Sequence, residues 1–330
     1  MTKLSDAMII RGKNIKNRIV MPPIRCFTFH GDHGGMYGEQ YVTHYTRRAK
    51  GGAGLIIIQA TPVFGAAAQT GVWSAAQMEP LATIARNCHS YGATVMMQLS
   101  AGDVDINELS AGEIHALQED CAAAATAAKR AGFDGVEYHF AHGFTLCKFF
   151  DPGFNQRNDN YGGSLENRVR VITEIIPQIR EAAGEEFIIA VRMGGNIPDT
   201  AGAVAVAGAL EKAGIDLLHI SFGMEPPAAA VPPDFNGSMI SYNAAQIRKH
   251  VNIPVIAVFG IFNAAQAEFL VANGHADFAA VGRGMLADPD WANEVLAGEP
   301  VNSCRNCGGN TEKCSWFVDH TKCPARLHLC

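Results

Sequence analysis

The sequence predicts a single α/β architecture, a (β/α)8 TIM barrel with a short Cys-rich C-terminal extension. Eight short apolar, β-branched runs alternate with Ala-rich amphipathic segments. Most of these runs are continuously hydrophobic, as parallel strands covered on both faces must be. Polar side chains close several of them, at the strand ends where a barrel places its site. A strand–helix unit repeated eight times closes on itself, whereas six repeats would point to an open, doubly wound sheet.

Taken in order, the strands are expected at residues 19–21, 55–59, 94–99, 135–139, 187–192, 216–221, 255–259 and 278–282. Helices are expected at 121–131 with Gly132 as its stop, at 164–183 with Ser164 as cap and Gly184 beyond, at 203–213 before Gly214, and at 264–272 before Asn273 and Gly274. The barrel is assigned to residues 1–300 and the Cys-rich tail to 301–330. Gly51, Gly52 and Gly54 precede a strand instead of following one, so they form a turn and not a dinucleotide-binding loop. The Ala/Pro-rich stretch 225–233 follows the sixth strand and is expected to be a loop over the pocket.

Composition narrows the partners. Of 330 residues, 48% are hydrophobic and 18% charged, enough for one large core, and the net charge of −6 gives no reason to expect nucleic acid or an anionic membrane. No signal peptide or membrane-length apolar run is present, so a cytoplasmic location is expected. A small-molecule substrate is the expected partner, with an electron-transfer protein and a second copy of the chain also admitted. Of nine cysteines, Cys26, Cys88, Cys121 and Cys147 are scattered, while Cys304, Cys307, Cys314, Cys323 and Cys330 crowd the end. A cluster appended to a cytosolic barrel reads as metal ligands before it reads as disulfides.

Gln98, His139, Arg192 and Ser221 end strands, and Arg283 lies just past the last. A polar side chain ending an apolar strand is costly unless it faces a site, and five from five strands imply one shared pocket.

Six separated motifs carry a family resemblance: KNRIVMPP at 16–23, RAKGGAGLIIIQAT at 48–61, AGFDGVEYHFAHGF at 131–144, FFDPGFNQRNDNYGGSLENR at 149–168, PVIAVFGI at 254–261 and ADFAAVGRGMLADPDW at 276–291. In this order the chain resembles the old yellow enzyme family of FMN-dependent oxidoreductases (NADH:flavin oxidoreductases), from about residue 10 to 291. The resemblance implies FMN as cofactor and NAD(P)H as hydride donor. It implies that Gln98 meets the flavin pyrimidine edge, Arg192 the N1/O2 side, and Pro23 and Ala60 the ring, while Gly260, Gly282 and Arg283 hold the phosphate. It also implies that His139 and His142 both bind a substrate carbonyl oxygen while an activated C=C bond is reduced.

Four positions depart from the family pattern. Phe144 stands where relatives carry a proton-donating Tyr, which leaves Cys26, Tyr37 or a water bound to Arg25 as candidate donors. Arg25 itself occupies a flavin-contacting position usually held by Thr or Cys, and is a candidate for both catalysis and cofactor binding. Asp103 replaces an Arg after the third strand, in a shortened segment that implies a more open mouth, and Phe259 replaces the first of two phosphate-loop glycines. The tail resembles the iron–sulfur branch related to 2,4-dienoyl-CoA reductase and trimethylamine dehydrogenase. Cys304, Cys307, Cys314 and Cys323 would hold a [4Fe-4S] cluster, with zinc ranked second and metal-free thiols third, although Cys314 falls later than the branch places it. Two other functions remain open at this stage: an amine or alcohol dehydrogenase passing electrons through the cluster, and a non-catalytic flavin- or metal-binding module.

Overall fold

The computed structural model describes residues 2–26, 29, 37–227, 230–307 and 313–325. Ten strands are seen: β1 (Met8–Ile10), β2 (Lys13–Ile15), β3 (Ile19–Met21), β4 (Leu55–Pro62), β5 (Thr94–Ser100), β6 (Gly135–Phe140), β7 (Ile188–Gly194), β8 (Leu217–Ser221), β9 (Val255–Ala257) and β10 (Phe278–Ala280). Strands β3 to β10 pair in sequence order and close into one barrel, each neighbour parallel to the next. All eight expected strands are present, and the barrel is the (β/α)8 fold.

Alternation along each strand divides the core in two. Val20, Leu55, Ile57, Met96, Ile188, Ala190, Leu217 and Phe278 point inward and form a closed interior cluster. Their sequence neighbours, such as Ile56, Val95, Val136 and Ile189, point outward under the helices. Each fully buried Ile or Leu contributes about 2 kcal/mol of transfer free energy, so both faces hold the strands in register.

The hairpin β1–β2 was not anticipated. It pairs antiparallel through Ile9 and Asn14, and Arg11 and Gly12 turn between the strands with φ of 47° and 74°, the left-handed pair that a two-residue hairpin needs. Its Ile10 and Ile15 join the interior cluster and close the floor of the barrel. Below the strands, carboxylates staple alternate pairs: Asp134 accepts from Val95 N, Asp216 from Ile189 N and Asp277 from Val255 N, at 2.9, 2.8 and 2.9 Å. Asp216 also receives Arg11 Nε at 2.6 Å and Arg180 Nη2 at 2.5 Å, which ties the hairpin to the barrel.

Three expectations change in detail. The helix expected from 121 spans Ala111–Arg130, because Ser110 and Glu113 form a capping box ahead of it. The helix expected over 164–183 is two, Leu165–Thr173 and Ile176–Ala183. Pro177 lacks the N–H that a continuous helix would require. Strands β9 and β10 stop early, at Ala257 and Ala280, because Phe259 and Gly260 take φ of 73° and a helix begins at Gly282. The glycine run at 51–54 is a turn, as expected: a Cβ on Gly51 would lie 1.8 Å from Pro289 O. Residues 228 and 229 of the Ala/Pro-rich stretch lie outside the described residues. Among the described residues no helix is long and apolar enough to cross a membrane.

Replacing Asp216 by Ala removes the acceptor for Ile189 N–H and leaves two arginines facing each other. The expected loss is about 3 kcal/mol, read as a lower urea midpoint with an unchanged slope.

Candidate active site

Above the apolar layers the inward positions of the barrel turn polar. Gln59 on β4, Gln98 on β5, Glu137 and His139 on β6, Arg192 on β7, and His219 and Ser221 on β8 are all buried there. Glu137 lies at the centre. Gln98 Nε2 donates to its Oε1 at 2.7 Å, and His219 Nδ1 lies 2.7 Å from its Oε2. A carboxylate only accepts, so the Gln98 amide is fixed with its nitrogen toward Glu137 and its carbonyl on the far side. Arg192 feels the same carboxylate. Burial draws its pKa down to about 10 and Glu137 opposes the fall, so the guanidinium keeps its charge at neutral pH.

His142 reaches back toward His139 because it and Gly143 both take left-handed backbone, with φ of 62° and 73°. His139 Nε2 lies 3.0 Å from His142 Nδ1, and His142 Nε2 lies 2.6 Å from Ser221 Oγ. Arg192 Nη2 donates to the same hydroxyl at 3.4 Å. Both ring nitrogens of His142 are thus engaged within the protein. Only His139 Nδ1 has no partner, and it is buried. Desolvation, with the Arg192 charge next, holds His139 down at about 3 and His142 lower still, so both rings are neutral.

The phosphate-loop candidates follow the last two strands, Gly260 in the loop after β9 and Gly282 and Arg283 at the start of the helix after β10. Gly260 adopts φ of 73°, and a Cβ there would lie 3.1 Å from Ser238 Cβ. Phe259 holds the same left-handed conformation without being glycine, at a cost of about 1 kcal/mol, and its carbonyl accepts from Ser238 Oγ at 2.9 Å. Gly282 packs against Ile24 and Pro22, next to the half-buried Pro23. Arg283 lies over the Phe262 ring at 4.9 Å and donates to Asn306 Oδ1. Aromatic rings join this end to the histidines, Phe259 to Phe222 at 5.7 Å and Phe222 to His142 at 4.5 Å.

The remaining candidates divide. Ala60 is half-buried on β4. Arg25 is exposed, and Tyr41 near it has its pKa raised by burial, a rise that the Arg25 charge opposes only weakly. Cys26 is buried, points its thiol at Ile24 O at 3.6 Å and donates its N–H to Gln59 Oε1 at 2.9 Å. Burial pushes its thiol up to about 12, so it is neither a thiolate nor a ready acid. Tyr37 is bound to Thr61 Oγ1 at 2.6 Å and its pKa is likewise raised by burial. Phe144 packs its ring 5.2 Å from His139. Asp103 pairs with Lys148 at 2.6 Å. Sequence reading missed Glu137 and His219. Both lie two residues before a strand-end residue that was found, on the same inward face, and the two-residue period was the signal.

The tail packs on the outer core through Trp316, Cys314, Cys323 and Ala325. Cys314 and Cys323 are near enough to Cys304 to raise its pKa, secondary to burial. Cys307 Sγ lies 3.5 Å from Ser315 Oγ. Among the described residues, however, no group of three or more side chains is assembled to hold a metal ion. Cys330 lies outside the described residues.

Buried Arg192 Nε and His139 Nδ1 without partners, and a glycine-type loop above the last strands, fit a planar, polar, phosphorylated cofactor. The sequence model of the NADH:flavin oxidoreductase / NADH oxidase family matches residues 7–107 and 100–302. A NADH oxidase of Thermoanaerobacter brockii is 36% identical over 89% of the chain, which spans 50% of that longer protein. A NADPH dehydrogenase of Bacillus licheniformis is 33% identical over 88% of the chain and 92% of its own length. The structure of a morphinone reductase variant in complex with tetrahydroNAD superposes with a TM-score of 0.73 at 26% identity, covering 91% of this chain and 92% of that one.

Two outcomes follow from the polar layer. Glu137→Ala strands the Gln98 amide and the His219 N–H in a sealed interior, and should cost about 3 kcal/mol in denaturant unfolding. The depressed pKa of His139 means that the unfolded chain binds a proton the folded one refuses, so stability is full above the unfolded value of 6.5 and falls as pH drops toward about 3. Between pH 6.5 and 5 this single group accounts for roughly 2 kcal/mol, and the acid sensitivity of the urea midpoint should be smaller in His139→Gln.

Proposed function

The chain belongs to the NADH:flavin oxidoreductase / NADH oxidase family and is an FMN oxidoreductase, and on that premise we propose that it uses NADH or NADPH to reduce an activated C=C bond. The observation that carries the proposal is the buried, unpartnered nitrogen of His139 beside a charged Arg192. This pairing suits an oxygen that gains negative charge as a conjugated carbonyl compound accepts hydride.

FMN, when bound, would supply hydride-transfer chemistry, with NADH or NADPH as the reductant. Arg192 and the carbonyl of Gln98 would hold the pyrimidine edge, with Arg192 favouring the electron-rich state. Gly260, Gly282 and Arg283 would hold the phosphate, and Pro23 and Ala60 would line the ring. His139 holds the substrate oxygen, with His142 behind it instead of beside it. Both rings remain neutral, so they stabilise charge as hydrogen-bond donors without giving up a proton. The proton needed at the α-carbon is assigned to water at the open mouth near Arg25, because Phe144 has none to give, Tyr37 is tied to Thr61, and Cys26 holds its proton too tightly.

For the tail, the donor set of Cys304, Cys307, Cys314 and Cys323 supports thiolate ligation of a [4Fe-4S] cluster, with zinc second. As placed, the four sulfurs do not surround a common point, and no step above runs through a metal. Metal analysis of anaerobically purified protein should find about four irons per chain. Protein lacking both iron and zinc sinks this assignment.

Anaerobic mixing of NAD(P)H-reduced protein with a panel of enones and enoates should reoxidise the flavin, and His139→Ala should slow that step by about 100-fold. If no compound in the panel reoxidises the flavin, the reduction of an activated alkene is wrong.

A further inference from the structure

We infer that Asn306, on the C-terminal tail, is a positioning residue of the phosphate site: it orients the Arg283 guanidinium toward FMN without cancelling its charge. Arg283 lies in the first turn of the helix Gly282–Ala287, and two other segments hold its side chain. The loop after β9 offers the ring of Phe262, with Arg283 Cζ 4.9 Å from the centroid. The tail offers Asn306, whose Oδ1 accepts from Arg283 Nη1.

Contact with an aromatic face holds a guanidinium near the ring but leaves it free to turn in its own plane. A hydrogen bond at one terminal nitrogen removes that freedom. Among the described residues the Arg283 side chain makes no other hydrogen bond, so Nε and Nη2 remain for the planar fork that suits a phosphate. The kind of acceptor matters as well. A guanidinium can only donate, so whatever orients it must accept. A carboxylate in this place would pair with the cation and set a second negative charge beside the phosphate. A neutral amide oxygen orients Arg283 and leaves its charge to the ligand.

The turn that carries Asn306 is itself held. Its φ of 48° is left-handed, a conformation that Asn tolerates better than most residues, and its N–H turns back to Cys304 Sγ at 3.4 Å. Just before the turn, Asn302 N–H donates to Asp288 Oδ2 at 2.7 Å. Just after it, Cys307 Sγ lies 3.5 Å from Ser315 Oγ. A turn anchored on both sides presents the Asn306 amide in one place. The tail thereby completes a site that the barrel alone leaves one contact short.

This inference deepens the assignment of Arg283 to the phosphate and rests on that reading. The full chain, freed of flavin, is titrated by flavin fluorescence with FMN and with riboflavin, which carries the ring without the phosphate. Asn306→Gly keeps the left-handed turn and removes only the side-chain acceptor. Its FMN Kd should rise about tenfold, the low end for a hydrogen bond made by a charged group, while its riboflavin Kd stays unchanged. Asn306→Asp should weaken FMN at least as much, again without touching riboflavin. In an Arg283→Ala background, Asn306→Gly should have no further effect, because the two residues act as one unit. An unchanged FMN Kd in Asn306→Gly, an equal loss for riboflavin, or an undiminished loss in the Arg283→Ala background overturns the inference. So does an Asn306→Asp chain that binds FMN as tightly as the unmodified one. If Arg283→Ala leaves the preference for FMN over riboflavin intact, the phosphate assignment itself falls, and the inference with it.

Discussion

The carboxylate of Glu137 is the constraint around which the upper barrel is arranged. It has no accessible surface, and a buried carboxylate persists only when its lone pairs are met and an opposite charge is close. Gln98 and His219 meet them, and Arg192 supplies the charge. In return, the carboxylate keeps Arg192 ionised against the pull of burial. It also orients the Gln98 amide and fixes the His219 tautomer. Burial first, and the Arg192 charge next, keep the neighbouring imidazoles neutral. One acidic side chain thus supports the charge of Arg192 and orients Gln98 and His219.

Such a polar layer needs a tight floor. The lower interior is apolar, and the β1–β2 hairpin closes it with Ile10 and Ile15. The carboxylates of Asp134, Asp216 and Asp277 satisfy strand amides at the barrel base. Water is thus excluded below, and the polar groups above interact in a medium where each hydrogen bond counts for more. The two ends are chemically opposite because inward residues repeat every second position, while hydrophobicity fades along each strand toward its C-terminal end.

The barrel was legible in the sequence because parallel strands buried on both faces leave unbroken apolar runs, and all eight were recoverable from such runs. The strand-end residues were legible for the converse reason: Gln98, His139, Arg192 and Ser221 interrupt those runs. Glu137 and His219 sit inside them, and a reading by apolar content passes over a single buried charge. The hairpin escaped because three-residue strands carry almost no periodic signal. The pairing of His142 with Ser221 could not be read at all, since it depends on a left-handed backbone at residue 142 and on a strand 79 positions away. For the cysteine tail, spacing names four sulfurs but does not say where each one points.

The same comparison separates two uses of the word donor. The H-x-x-H spacing suggests two equivalent groups converging on a ligand, and the geometry makes them unequal: His139 Nδ1 is buried without a partner, while both ring nitrogens of His142 are hydrogen-bonded. Because both rings are neutral and hydrogen-bonded in place, neither needs to change its protonation state when charge appears nearby, which is the condition under which an electrostatic site is most effective. Phe144 fits the same logic. A phenol beside His139 would offer a hydrogen-bond partner for Nδ1, and a phenyl ring 5.2 Å away offers none, so that nitrogen is left without one.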